Sequence, residues 1–309
     1  MERDTVVFFG SGPVAAKSLE LLSEWAQVEA VVTKPQPPHH KEPFPVLVLA
    51  EQLGLKTYTP NSKAELSTLI AEKPFRSRLC IVIDYGFIIN QDVIDSFPLG
   101  IVNSHFSLLP EWRGADPITF SILSGQQQTG VSLMVITAGM DEGPLLAQTP
   151  YDIPADTTTP SLTDALIDIS DKTLRHIIPL YLDGSATPAP QESVTMAKSP
   201  EPTYSRKLSK ADRELDFTKP AAQLEREIRA YAEWPKSRTT LAGKEVVVTK
   251  AHIAKGHDLS REPGKALVDN KQLVIGTSDG ALVVDMLKPA GKAEMTAQAF
   301  INGYGKLLI

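Results

Sequence analysis

Thr5-Val6-Val7-Phe8-Phe9-Gly10-Ser11-Gly12-Pro13-Val14-Ala15 changes its rule in mid-stretch. Five residues rich in β-branched and aromatic side chains read as a buried strand, Gly-Ser-Gly as a tight turn, and Pro13 as a favoured first helical residue ahead of a helix over Val14 to Trp25. Outward from that unit the alternation repeats. Strands are predicted at Val28–Thr33, Leu55–Tyr58, Leu79–Ile83 and Gly100–Asn103, with helices at Val46–Leu53, Ala64–Ala71 and Asp116–Leu123. Strands alternating with helices predict an α/β, Rossmann-like parallel sheet covered on both faces. Ligands of such sheets bind beyond the carboxyl ends of the strands.

The stretch from Gly10 to Ala15 also fits the dinucleotide fingerprint G-x-G-x-x-G/A. The second strand, however, ends Val31-Val32-Thr33-Lys34, where a dinucleotide site would place an acidic residue on the ribose. The glycines are therefore read as a turn that lets the chain enter its helix closely.

Two further strands, Val131–Thr137 and Leu145–Ile153, precede a long helix opened by Thr159-Pro160 and reaching about Leu182. From Gly184 to Thr203 the composition turns to Pro, Ser, Thr and Ala, the signature of a connector. Residues 1–183 are thus expected to form one domain, 184–203 a linker and 204–309 a second domain. The second carries a helix at Ala221–Tyr231 and strands at Arg238–Leu241, Glu245–Ile253, Gly264–Val268, Gln272–Gly276 and Ala281–Leu287. Five short strands so closely spaced predict a small OB-like β-barrel. From Tyr204 onward 18 Lys and Arg face 13 Asp and Glu, a net of +5, whereas residues 1–203 carry −11. The basic region could hold a phosphate backbone; an ordinary solvated surface has the same composition.

At 309 residues, 42% hydrophobic and 22% charged, the chain has the size and make-up of a soluble enzyme of two domains. It has no apolar run of about eighteen residues, and so no expected membrane partner. Met1-Glu2-Arg3-Asp4 leads straight into the first strand without a signal-peptide pattern, so a cytoplasmic protein is expected, and a monomer. The lone Cys80 sits in the apolar run Leu79–Ile83 and reads as a buried small hydrophobe. His39-His40 lies in a proline-rich loop without other ligands at metal-binding spacing. No metal is expected.

Asn103 and His105 stand two residues apart at the end of a buried strand, so alternation puts both side chains on one side of the chain. Acyl transfer to an amine needs donors for a tetrahedral oxyanion and a route for the proton of the attacking nitrogen. An Asn amide and a His ring supply the donors. Asp141, between glycines in Gly139-Met140-Asp141-Glu142-Gly143, could orient the histidine or take the proton through water. A structural histidine and a turn aspartate would satisfy the same pattern.

Asn103-Ser104-His105-Phe106-Ser107-Leu108-Leu109-Pro110, then Trp112-Arg113-Gly114-Ala115, Thr129-Gly130-Val131 and Asp141-Glu142-Gly143, resemble the folate-dependent formyltransferases. The resemblance implies 10-formyltetrahydrofolate as formyl donor, Asn103, His105 and Asp141 as catalytic residues, and two folate-contacting segments. These are Ser107, Leu108, Leu109 and Pro110, and the strand-end loop Asp84–Ile88 with Tyr85, Gly86 and Ile88. Tyr204-Ser205-Arg206-Lys207-Leu208-Ser209-Lys210-Ala211-Asp212, with Leu215-Asp216-Phe217 and Ile228-Arg229-Ala230, is similar to the branch that formylates methionine on charged initiator tRNA. It implies initiator methionyl-tRNA as the partner, with His40, Lys41, Arg206, Lys207 and Lys210 as tRNA contacts. Branches that formylate an amino sugar nucleotide share some of this region, and a catalytically silent RNA-binding protein would keep the same fold.

Three features depart from the tRNA-acting branch. The loop Pro35–Pro43 is shorter and less basic, Glu111 stands where a basic residue is common, and Trp234-Pro235-Lys236-Ser237 replaces Trp-Pro-Gly-Ala. None touches the catalytic trio.

Overall fold

A computed structural model describes residues 5–36, 44–198, 201–254 and 262–307. The chain forms two compact units, one of Met1–Ala115, Gln128–Asp152 and Thr163–Ser205, the other of Asp116–Gln127, Ile153–Leu162 and Arg206–Ile309.

In the first unit the opening stretch becomes β1 (Thr5–Phe9) and α1 (Pro13–Trp25), with Val6 to Phe9 wholly buried. Continuous apolar runs of this kind suit strands covered on both faces. There follow β2 (Gln27–Val32), α2 (Pro45–Gln52), β3 (Thr57–Tyr58), α3 (Lys63–Ala71), β4 (Cys80–Val82), α4 (Gln91–Asp95) and β5 (Ile101–His105). After β6 (Arg113–Gly114) and α5 (Pro117–Ser124) come β7 (Gln128–Val135) and β8 (Leu145–Asp152). The seven-stranded sheet has the order β3-β2-β1-β4-β5-β7-β8, parallel from β3 to β5 and antiparallel at β5/β7 and β7/β8. The mostly parallel α/β sheet is the one the alternation predicts.

The long helix α6 (Thr159–Leu182) buries Leu162, Leu166, Leu174 and Ile178, the stripe visible in its sequence. The proline-rich stretch after it packs against the first unit. Ala189 exchanges backbone hydrogen bonds with Leu145 at 2.8 and 2.9 Å, and a short helix α7 (Gln191–Val194) buries Gln191. β9 (Tyr204–Ser205) then pairs in parallel with β6.

The second unit holds α8 (Ala221–Ala230), then β10 (Arg238–Leu241), β11 (Lys244–Ile253), β12 (Ala266–Asp269), β13 (Gln272–Gly276), β14 (Ala281–Pro289) and β15 (Met295–Thr296), and α9 (Ala297–Tyr304). The sheet runs β10-β11-β14-β13-β12, with β15 on β14, all antiparallel. This is the half-barrel form of the small antiparallel barrel expected, with β15 and α9 in addition. Its core gathers Leu224 and Ile228 from α8, Val248, Leu273 and Leu282 from the strands, and Phe300 from α9. Each such side chain contributes about 1.5–3 kcal/mol on burial. Thr296 caps α9 by accepting from Ala299 N at 3.2 Å. Among the described residues no helix is long and apolar enough to cross a membrane, and no cluster of three His, Cys, Asp or Glu side chains could hold a metal ion.

Candidate active site

The strand expected to stop at Asn103 runs on to His105, because β7 continues the ladder by pairing Ser104 with Leu133 and His105 with Ser132. Ser104 lies on the other face of β5, where its hydroxyl oxygen is 2.6 Å from that of Ser170 on α6. Asn103 and His105 therefore share one face, as alternation requires. Asn103 is half-buried.

His105 is buried, and its Nε2 lies 3.0 Å from the carbonyl oxygen of Trp112. A carbonyl can only accept, so Nε2 carries the proton of the neutral ring. The free nitrogen, Nδ1, is 3.9 Å from Asp141 Oδ2. A proton taken up by the ring thus arrives on the side that faces the carboxylate. Asp141 Oδ2 in turn accepts from Gly114 N at 2.7 Å.

Asp141 adopts a left-handed backbone, φ 52°, uncommon for a residue other than glycine. Two glycines make the surrounding geometry possible. A Cβ on Gly143 would lie 1.8 Å from the Val135 carbonyl oxygen, and Gly114, at φ +105°, would place one 2.6 Å from Ser205 O. The loop from Gly139 to Gly143 is therefore pressed against the end of β7.

The turn Ser107–Pro110 is buried and clamped by Ser132. The Ser132 hydroxyl donates to Ser107 O at 2.6 Å and accepts from Leu109 N at 2.9 Å and from Gln148 Nε2 at 2.8 Å. Gln148 and Thr195 both donate to Leu109 O, at 2.9 and 2.6 Å. Leu108 and Leu109 are buried in the core.

The loop Asp84–Ile88 follows β4, whose last residue, Val82, pairs with Asn103, so the loop and the Asn103–His105 pair lie at the same end of the sheet. Gly86 and Ile88 are exposed there. Lys34 Nζ donates to Gly86 O at 2.8 Å and lies 4.4 Å above the Phe87 ring. Tyr85 instead turns inward, 5.2 Å from the ring of Phe9 and 5.6 Å from that of Phe87. Its hydroxyl is buried and has no partner among the described residues, and burial pushes the phenol above its usual range.

In the second unit Arg206, Lys207 and Lys210 are all exposed. Arg206 lies 5.9 Å from the Phe120 ring and donates to both oxygens of Asp212, holding that carboxyl well below the usual carboxylate range. Lys207 and Lys210 stand in no ion pair among the described residues. His40 and Lys41 lie outside the described residues.

Arg113 falls within a motif the sequence singles out, whereas Ser132, Gln148 and Gln191, which also brace the site, stand in none. Polar side chains inside otherwise apolar strands, as at Ser132, are the one visible hint.

The formyl transferase family matches residues 4–178, and the C-terminal domain of that family matches residues 207–305. The methionyl-tRNA formyltransferase of Myxococcus xanthus (strain DK1622) is 36% identical over 309 residues, covering 98% of this chain and 96% of that protein. Among solved structures, an N-formyltransferase from Helicobacter canadensis, in complex with folinic acid and dTDP-3-aminofucose, superposes with a TM-score of 0.67 at 16% identity, over 91% of this chain and 98% of that one. HypX from Aquifex aeolicus in complex with tetrahydrofolic acid superposes at 0.62 and 16% identity over 98% of this chain, which spans about half (48%) of HypX. At these identities the structural likeness is one of fold.

Proposed function

This chain belongs to the formyl transferase family, in its methionyl-tRNA-acting branch, and from that premise we propose that it moves a formyl group from 10-formyltetrahydrofolate to the free amino group of methionine on initiator methionyl-tRNA. The observation that carries the reading is the match at 36% identity over nearly the whole length of a methionyl-tRNA formyltransferase, with both family domains present. A folate-type donor agrees with the folate ligands of the structures that share the fold.

The amine nitrogen attacks the formyl carbon and the carbonyl oxygen takes up the negative charge. The Asn103 amide is a donor for that oxyanion, and the His105 ring on the same face of β5 becomes the second once it carries a proton on Nδ1, since its Nε2–H is held by the Trp112 carbonyl. Asp141, facing His105 Nδ1 at 3.9 Å, sets the charge and orientation of the ring and takes the proton released by the nitrogen, directly or through water. The proton passes to the folate nitrogen as the old carbon–nitrogen bond breaks, giving N-formylmethionyl-tRNA for translation initiation and tetrahydrofolate. No step calls on a metal ion.

The folate would lie along the backbone of Ser107, Leu108, Leu109 and Pro110 and the exposed stretch of the loop at Gly86 and Ile88. Tyr85 would support that loop from beneath, its ring already lying against Phe9 and Phe87. Residues 204–309, joined by the 184–203 stretch to the catalytic domain of residues 1–183, would hold the tRNA through Arg206, Lys207 and Lys210, with His40 and Lys41 contacting it from the shorter loop. A tRNA substrate is in keeping with a cytoplasmic protein, and a single chain that carries every group the transfer uses is in keeping with a monomer.

Purified protein is given 10-formyltetrahydrofolate and either methionyl-tRNA or an amino sugar nucleotide. Formyl transfer to the tRNA alone is expected. Transfer only to the sugar nucleotide, or to neither, overturns the reading.

A further inference from the structure

Gln191 lies in the proline-rich stretch that reads as a connector, yet it is 3% exposed and every polar atom of its side chain is engaged. Its Nε2 donates to the backbone carbonyls of Asp141 and Gly143 at 2.8 and 2.9 Å, the two that bracket the end of the loop. Its Oε1 accepts from Arg113 Nη2 at 2.8 Å. Only this orientation of the amide gives two carbonyls their donor and a guanidinium its acceptor. Arg113 also reaches Glu142 Oε1 with Nη1 at 3.3 Å, and the residue after it, Gly114, donates the N–H that Asp141 Oδ2 accepts at 2.7 Å.

These contacts close a ring. It runs from the Asp141 carboxylate through the backbone of Gly114 and Arg113 to the guanidinium, on to the Gln191 amide, and back to the Asp141 carbonyl. Asp141 is held at both its side chain and its main chain in a left-handed conformation that only a well-determined environment sustains. We propose that Gln191 is a positioning residue for the formyl transfer, fixing the Asp141 carboxylate at its station opposite His105 Nδ1. The proposal rests on the reading of Asp141 as the group that takes the proton.

The test compares Gln191→Met, which keeps the length and removes every hydrogen bond, with the unaltered enzyme in formylation of methionyl-tRNA. Misplacing a catalytic group lowers kcat by about 10- to 100-fold, while KM for each substrate stays within about threefold, because the variant touches neither substrate. The discriminating readout is the pair with Asp141→Asn. Gln191→Met added to Asp141→Asn is expected to cost nothing further, since there is no carboxylate left to position. Equal losses in both backgrounds, or a KM effect without a kcat effect, overturn the proposal. If Gln191→Met does not fold, Arg113→Lys serves, since it keeps the charge and loses the fork to Gln191 and Glu142. A kcat unchanged in Arg113→Lys likewise overturns it. An Asp141→Asn enzyme of normal turnover would remove the reading beneath the proposal, whereas a slow Asp141→Asn with a normal Gln191→Met would remove the proposal alone.

Discussion

The turn from Asn103 to Pro110 and the stretch from Tyr204 to Asp212 are both conspicuous in the sequence, yet the fold treats them in opposite ways. The first is drawn into the protein. Its carbonyls and N–H groups are answered one by one by Ser132, Gln148 and Thr195, and its histidine is fixed by the Trp112 carbonyl. The second lies on the surface, where Lys207 and Lys210 stand in solvent and Arg206 is engaged with Asp212, six residues on. Charge development on a formyl oxygen spans a fraction of an ångström and needs donors placed in advance. A phosphate backbone is met over many ångströms by charges that can move, and tolerates loosely held lysines. Under the proposed function, the burial of one segment and the exposure of the other match what each would recognise.

That contrast can be broken most decisively at Asp141. Asp141→Asn keeps the hydrogen bond from Gly114 N within reach and abolishes the charge, so steady-state turnover is expected to fall by about a hundredfold or more with the fold intact. Near-normal turnover would take Asp141 out of the chemistry and leave the buried segment without its partner carboxylate. A middle-sized effect is expected at Ser132→Ala. Leu109 N would lose its acceptor and Ser107 O a donor, and a buried polar group left unpaired costs about 1–3 kcal/mol. Chemical denaturation should read this as a lower midpoint at unchanged slope, accompanied by a higher KM for the folate if the turn is where the folate lies. The smallest effect belongs to the surface. Lys207→Ala and Lys210→Ala should each reduce the slope of log affinity for tRNA against log salt by about one, with kcat at saturating tRNA unchanged. A salt slope that neither substitution moves would take these lysines out of the interface.

Much of the first unit is legible because β1 and β4 are apolar without interruption and α1 and α6 are amphipathic, and periodicity reports both. Asn103, His105 and Asp141 stand out through motif and chemistry together. What sequence does not show depends on long-range pairing. β6 and β9 are two residues each, too short for any period, and exist only because Arg113–Gly114 meets Tyr204–Ser205 across some ninety positions of chain. Gln191 is hidden for a related reason: its neighbours are prolines and small polar residues, and nothing in them tells a loose connector from one that packs. Tyr85 cannot be separated from its loop by sequence, since an aromatic residue beside a glycine serves equally as a ligand platform or as a core anchor. The second unit takes in Asp116–Gln127 and Ile153–Leu162 from far upstream, two excursions that a division by linear composition does not reveal.

The pairing of β6 with β9 also bears on where this chain can be cut. Trp112 N donates to Thr203 Oγ1 at 2.9 Å, Arg113 N to Thr203 O at 2.9 Å, and the short parallel ladder continues to Ser205. A fragment ended at the last proline before this ladder would expose the backbone beside Gly114, whose N–H the Asp141 carboxylate accepts. A cut anywhere before Ser205 should therefore loosen the Gly114 N–H that Asp141 accepts. A protease that nicks the chain beyond it would leave the amide next to Asp141 still sheltered, and one that nicks before it would not.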